Sequence, residues 1–123
     1  MLDFSRYEIR HYTIWGKERL DVDFLGKKEE LVGVVIHNFN GQVEGALRVV
    51  NKVLQEGGTG NVGYNDTYFE IHKDISIAHD DLTDPDKLNE DGNPEIDEVE
   101  IPTVTLKKIL EDYIAKKKEL RIE

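Results

Sequence analysis

Two hydrophobic periods alternate along the chain, one of two residues and one of about 3.6. Between Tyr7 and Trp15 aromatic and β-branched residues crowd together, which predicts a strand. Gly16-Lys17 turns the chain into Leu20-Asp21-Val22-Asp23-Phe24-Leu25. There Leu20, Val22 and Phe24 alternate with acids, the pattern of a strand with one wet face. After a break at Gly26-Lys27-Lys28, the stretch from Leu31 to His37 holds Val32, Val34, Val35 and Ile36. This nearly continuous β-branched run predicts a central strand. Gly33 inside it marks a bulge or the close approach of another backbone.

Asn40-Gly41 then opens a helix with Asn40 as its N-cap. Val43, Ala46, Leu47, Val50 and Leu54 fall on one stripe, while Glu44, Arg48, Asn51, Lys52 and Gln55 face away. Gly57-Gly58 supplies the left-handed turn that ends such a helix. Thr59 to Asp66 is rich in glycine and asparagine and predicts a loop. Tyr68–His72 and Ile75–His79 predict a strand pair joined across Lys73-Asp74. From Asp80 to Pro94 acids, Pro85, Gly92, Asn93 and Pro94 predict a long exposed loop, over about residues 80–95. Ile96 to Ile101 returns a short strand to the sheet. Pro102-Thr103 begins a last helix, with Leu106, Ile109, Leu110, Tyr113, Ile114 and Leu120 on its apolar stripe. Lys116, Lys117 and Lys118 stand near its C-terminus, where cations complement the helix dipole. The expected fold is therefore α+β and a single domain over residues 1–123. Its mostly antiparallel five- or six-stranded sheet would be packed by two amphipathic helices, in the order strands, helix, strands, helix.

Charge changes this picture more than composition does. The chain carries a formal net charge of −10. From Asp80 to Glu100 ten carboxylates stand against one base, Lys87, so this segment holds nearly all of that excess. Such a block repels phosphate backbones, which argues against nucleic acid as the primary partner, and it attracts a basic protein surface. The chain has no cysteine. That excludes disulfides, thiolate zinc sites and a cysteine nucleophile, and it fits a reducing, cytoplasmic setting. The first residues resemble no secretory leader and no apolar run is long enough for a bilayer, so no membrane association is expected.

Candidate chemistry is sparse. His72 and His79 face one another across the expected hairpin, with Asp74 or Asp80 nearby as further metal ligands. Their spacing matches no ligand motif, and histidines on strands are more often simply part of a sheet face. Asn89, Asp91 and Gly92 resemble the middle of a calcium loop, but the first ligand position falls on Lys87 and flanking helices are missing. The run Gly57 to Gly63 follows a helix instead of preceding one, so it is no phosphate cradle. Ser5 and Ser76 lie in no nucleophile elbow. No catalytic residue, metal site or cofactor is expected. The expected site is a partner-binding surface made of Asp80, Asp81, Asp84, Asp86, Glu90, Asp91, Glu95, Asp97 and Glu98, with Tyr68 as an anchor. Tyr64, Phe69, Leu82, Leu88 and Ile96 complete its apolar rim.

The order Tyr68-Phe69-Glu70-Ile71, Ile75-Ser76-Ile77, an acidic irregular stretch, then Glu100-Ile101-Pro102-Thr103 leading into Leu106 resembles small bacterial immunity proteins. Those are cytoplasmic partners of polymorphic and contact-dependent growth-inhibition toxins. The resemblance covers roughly Tyr68 to Ile114 and rests on a strand pair followed by an Ile-Pro-Thr step into a C-terminal helix. Relatives often carry a tryptophan late in that helix, where this chain has Tyr113, and its only tryptophan is Trp15. The resemblance implies a non-catalytic inhibitor that binds a cognate toxin, commonly a nuclease with a basic cleft, and occludes its active site. The alternatives are a protein-binding accessory domain of a mobile element or operon, and a small metal-dependent enzyme built on His72 and His79.

Overall fold

The computed structural model describes residues 2–64, 66–81, 92 and 97–122. The first strand, β1 (Tyr7–Ile14), pairs with β2 (Lys17–Phe24) in an antiparallel hairpin whose register runs from Tyr7 opposite Phe24 to Ile14 opposite Lys17. Trp15 and Gly16 form the two-residue turn, with φ of 50° and 76°. Paired positive φ values match the right-handed twist of the flanking strands. The alternation in β2 works as expected: Leu20, Val22 and Phe24 are buried.

The run from Leu31 to His37, expected as a central strand, is instead part of a helix, α1 (Glu30–His37). Leu31, Val32, Gly33, Val35 and Ile36 are all buried in it. The reason is placement. α1 lies between the β1–β2 hairpin and the second sheet, and a helix enclosed on most sides needs apolar residues nearly all round. A short, uninterrupted apolar run is therefore ambiguous between buried helix and buried strand. Gly33 does mark a close approach, because a Cβ there would lie 2.3 Å from the carbonyl oxygen of Val22.

Helix α2 (Glu44–Glu56) starts later than expected. Asn40 sits in a left-handed turn, φ 52°, and the helix is preceded by Val43 without a side-chain cap. Val43, Ala46, Val50 and Val53 are buried, with Leu47 and Leu54 packed beside them. Gly57 ends α2 at φ 79°. The expected loop that follows contains a strand, β3 (Thr59–Gly63), paired antiparallel with β4 (Thr67–His72). Glycine here lowers strand propensity but serves packing: a Cβ on Gly60 would come within 2.7 Å of Val49 Cγ1 on α2.

The hairpin of β4 with β5 (Ile75–Asp80) appears as read, with Tyr68 opposite His79 and Glu70 opposite Ile77. β6 (Glu98–Pro102) adds to the other edge of β5, with Glu98 opposite His79 and Glu100 opposite Ile77. The last helix, α3 (Thr103–Glu119), begins at the Ile-Pro-Thr step. The fold is α+β, but among the described residues it has three helices and two antiparallel sheets, of two strands and of four in the order β3-β4-β5-β6, where one sheet and two helices were expected. All three helices cover one face of the four-stranded sheet. A single continuous core joins both sheets, with Phe69, Ile71, Ile101, Leu106, Ile109 and Leu110 fully enclosed. No helix among the described residues is long and apolar enough to cross a membrane.

The Ile-Pro-Thr step acts structurally. Pro102 stands just before the helix with φ −57° and ψ 132°, a conformation proline favours. The Thr103 hydroxyl donates to the His72 carbonyl at 2.5 Å. Having given its one proton, it accepts from Ser76 Oγ at 2.7 Å. The Thr103 amide donates to the Asp74 carbonyl at 3.0 Å. One threonine thus pins the start of α3 to both sides of the β4–β5 turn.

Candidate functional site

Strand alternation divides the four-stranded sheet into two chemically distinct faces. Phe69, Ile71, Ser76, Ala78, Val99 and Ile101 point to the helices and are buried. Tyr68, Glu70 and His72 of β4, Ile75, Ile77 and His79 of β5, and Glu98 and Glu100 of β6 occupy the alternate positions. No described element covers this second face. It carries three carboxylates and neither lysine nor arginine at any strand position.

Its centre is ordered by side-chain contacts. The Tyr68 ring stacks on the His79 imidazole, with centroids 4.6 Å apart and planes inclined by 18°. His79 lies between two carboxylates, with Nε2 3.5 Å from Glu70 Oε1 and Nδ1 3.7 Å from Glu98 Oε2. Both distances are longer than a good hydrogen bond, and Nε2 is buried without a hydrogen-bond partner among the described residues. Glu70 Oε2 is bonded to His72 Nε2 at 2.5 Å. That bond holds the Glu70 carboxyl below its usual range; desolvation opposes it, and the charges of His72 and His79 assist. The Tyr68 hydroxyl shifts the other way: burial raises its pKa, and the negative charges of Asp81, Glu70 and Glu98 raise it further. Tyr68 therefore sits in a field of three carboxylates while its ring is held flat against an imidazole.

The acids expected from the sequence divide into two groups. Asp80, Asp81, Asp97 and Glu98 gather at one end of this sheet. The Asp80 amide donates to the Asp97 carbonyl at 2.9 Å, and the Asp81 amide to the Asp66 carbonyl at 2.6 Å. Asp84, Asp86, Glu90, Asp91 and Glu95 lie outside the described residues, as do Leu82, Leu88 and Ile96 of the expected rim. Tyr64 is exposed. Phe69 is not part of any rim: it is fully buried, 6.0 Å from the Phe39 ring, because it faces the helices while its neighbours Tyr68 and Glu70 face out.

His72 and His79 do come together, each reaching one oxygen of Glu70. Asp74 lends its backbone carbonyl to Thr103. Among the described residues no group of three or more histidine, aspartate or glutamate side chains converges as a metal site would. Glu70 and Glu100 were missed as members of the site. Period-two alternation from Tyr68 would have found Glu70, since residues i and i+2 share a face; Glu100 needed the register of β6. No protein-family model, curated protein or solved structure matches this chain.

Proposed function

We propose that this chain is a non-catalytic inhibitor, an immunity protein, that docks the acidic face of its four-stranded sheet onto the basic active-site surface of a cognate toxin domain, a nuclease in the first instance. The observation that carries this reading is the sheet face that no described element covers: Glu70, Glu98 and Glu100 with no base among its strand positions, the first two flanking the His79 ring that stacks on Tyr68. A twisted sheet face of this kind presents rigid carboxylates at fixed spacing, and a stacked aromatic is a typical interface anchor. Asp80, Asp81 and Asp97 extend the negative field at one end of the sheet, and Asp84, Asp86, Glu90, Asp91 and Glu95 add to the same acidic stretch of sequence. Carboxylates aligned this way imitate substrate phosphates in a basic cleft and speed the encounter with it at low salt. The sequence resemblance to immunity proteins points to the same partner class.

The test is to co-express the chain with the toxin domain encoded beside it and to measure growth, complex formation and nuclease activity. Protection with a one-to-one complex is expected, and Glu70→Gln/Glu98→Gln/Glu100→Gln should weaken binding about tenfold or more at low salt. A neighbouring toxin that stays fully active in the presence of this chain would sink the proposal. An unchanged affinity in the triple variant would remove the sheet face from the interface.

A further inference from the structure

A second region of the molecule, on different residues, reverses the charge locally. A cleft of about 650 Å³ opens between the start of β2, the turn joining α1 to α2, and the C-terminus of α3. Four bases line it, Lys17, Arg19, Lys117 and Arg121, against one acid, Glu18. In a chain with 26 acids and 16 bases, this clustering runs against the composition. The cleft shares no residue with the acidic sheet face, and its volume suits a small-molecule ligand.

The bases are held in different ways. Lys117 is nine-tenths buried; its Nζ donates to Gly41 O at 2.9 Å and to Glu44 Oε1 at 2.8 Å. An ammonium has three protons, and the third finds no acceptor among the described residues. Arg19 gives Nη1 to Asn40 Oδ1 at 3.2 Å, and no carboxylate pairs with it among the described residues. Lys17 and Arg121 likewise have no ion pair there. At the cleft wall the Tyr113 hydroxyl donates to Leu20 O at 3.1 Å.

Arg121 supplies the second observation. The amide of Ile122 donates to Lys117 O at 3.0 Å and that of Arg121 to Lys118 O at 3.1 Å, the hydrogen-bond pair of a Schellman helix end. Arg121 occupies its left-handed position with φ 56°, where glycine is the unstrained choice. Only three non-glycine residues adopt positive φ among the described residues, and two of them, Asn40 and Arg121, line this cleft. Arg121 thus holds a left-handed conformation that glycine would adopt without strain, at the lining of a cleft with three other bases.

We infer that this cleft binds a small phosphate-bearing molecule. A carboxylate brings one charge and two oxygens. A terminal phosphate brings up to two charges and three acceptor oxygens, enough for the Arg19 and Arg121 forks and the free proton of Lys117 together.

Pyrophosphate is the probe, titrated into the purified chain by calorimetry at low ionic strength. One-to-one binding is expected, weakened about tenfold or more in Arg19→Gln and again in Arg121→Gly. Arg121→Gly removes the guanidinium while relieving the left-handed strain, so it should melt no lower than the parent and keep the result interpretable. Glu70→Gln/Glu98→Gln/Glu100→Gln should leave pyrophosphate binding intact. Absence of binding, or equal binding by Arg121→Gly, would overturn the assignment. Citrate bound as tightly as pyrophosphate would overturn the choice of phosphate, and binding of a single-stranded oligonucleotide in preference to pyrophosphate would overturn the small-molecule class.

Discussion

Gly33 of α1 rests directly on Val22 of β2, so closely that a Cβ would meet the Val22 carbonyl oxygen at 2.3 Å and the Phe24 ring at 3.7 Å. The obstacle is backbone, which cannot swing aside as a side chain can. Gly33→Ala should therefore destabilise the fold by about 1–3 kcal/mol or more, despite the better helix propensity of alanine. Urea unfolding measures it, and a stability equal to the parent would show that α1 does not seat on β2 in this way.

Thr103 joins the start of α3 to the part-buried His72 carbonyl and to the buried Ser76. Thr103→Val keeps the shape and removes the hydroxyl, leaving a part-buried carbonyl and a buried serine without their partner. A loss of about 1–3 kcal/mol is expected, whereas Thr103→Ser should recover most of it. If serine fails to recover stability, the hydrogen bonds are not the cause.

Tyr113, 2% exposed, has its hydroxyl pKa pushed from 10.0 up to about 12, first by burial and then by the charges of Asp21, Tyr12 and Glu44. A pKa raised by folding adds stability that is complete below the unfolded value and is lost as pH rises through the folded one. The window therefore runs from about pH 10 to about 12, with a change on the order of 3 kcal/mol. Comparing parent and Tyr113→Phe by denaturant unfolding across that window checks it: the parent should lose more stability there than the variant does.

Glu70 carries the opposite sign. Its carboxyl is held below the ordinary 4.5 by the His72 bond, so its contribution is present above that pH and fades as acid takes pH below it. Because the side chain is more than a third exposed, solvent screening keeps the effect under about 1 kcal/mol. Glu70→Gln should flatten the acid limb of the stability curve slightly; an acid limb identical to the parent's would exclude the contact.

His79 is the residue on which the acidic face turns, since it stacks on Tyr68 and lies between Glu70 and Glu98. His79→Ala should free the Tyr68 ring and weaken partner binding about fivefold or more, with the fold retained. Binding unchanged by His79→Ala would mean that the ring's orientation contributes nothing to docking.

Local pattern by itself determined the β1–β2 hairpin, the apolar stripes of α2 and α3, the β4–β5 pair and the start of α3 at Pro102-Thr103, because each is specified by neighbours within a few residues. It also brought His72 and His79 to one hairpin, while the pairing of Tyr68 with His79 needed the register. Only tertiary structure decided that Leu31–His37 coils instead of extending. Enclosure between two sheets makes a short helix apolar nearly all round and erases the period that would have revealed it. It likewise decided that β3 is a strand, where Gly60 lets α2 approach, and that Glu100 and Glu70 share a face. The basic cleft belongs to the same class: Lys17 and Arg19 lie far in sequence from Lys117 and Arg121, and charges so distant converge only when α3 packs back against β2 and the turn before α2.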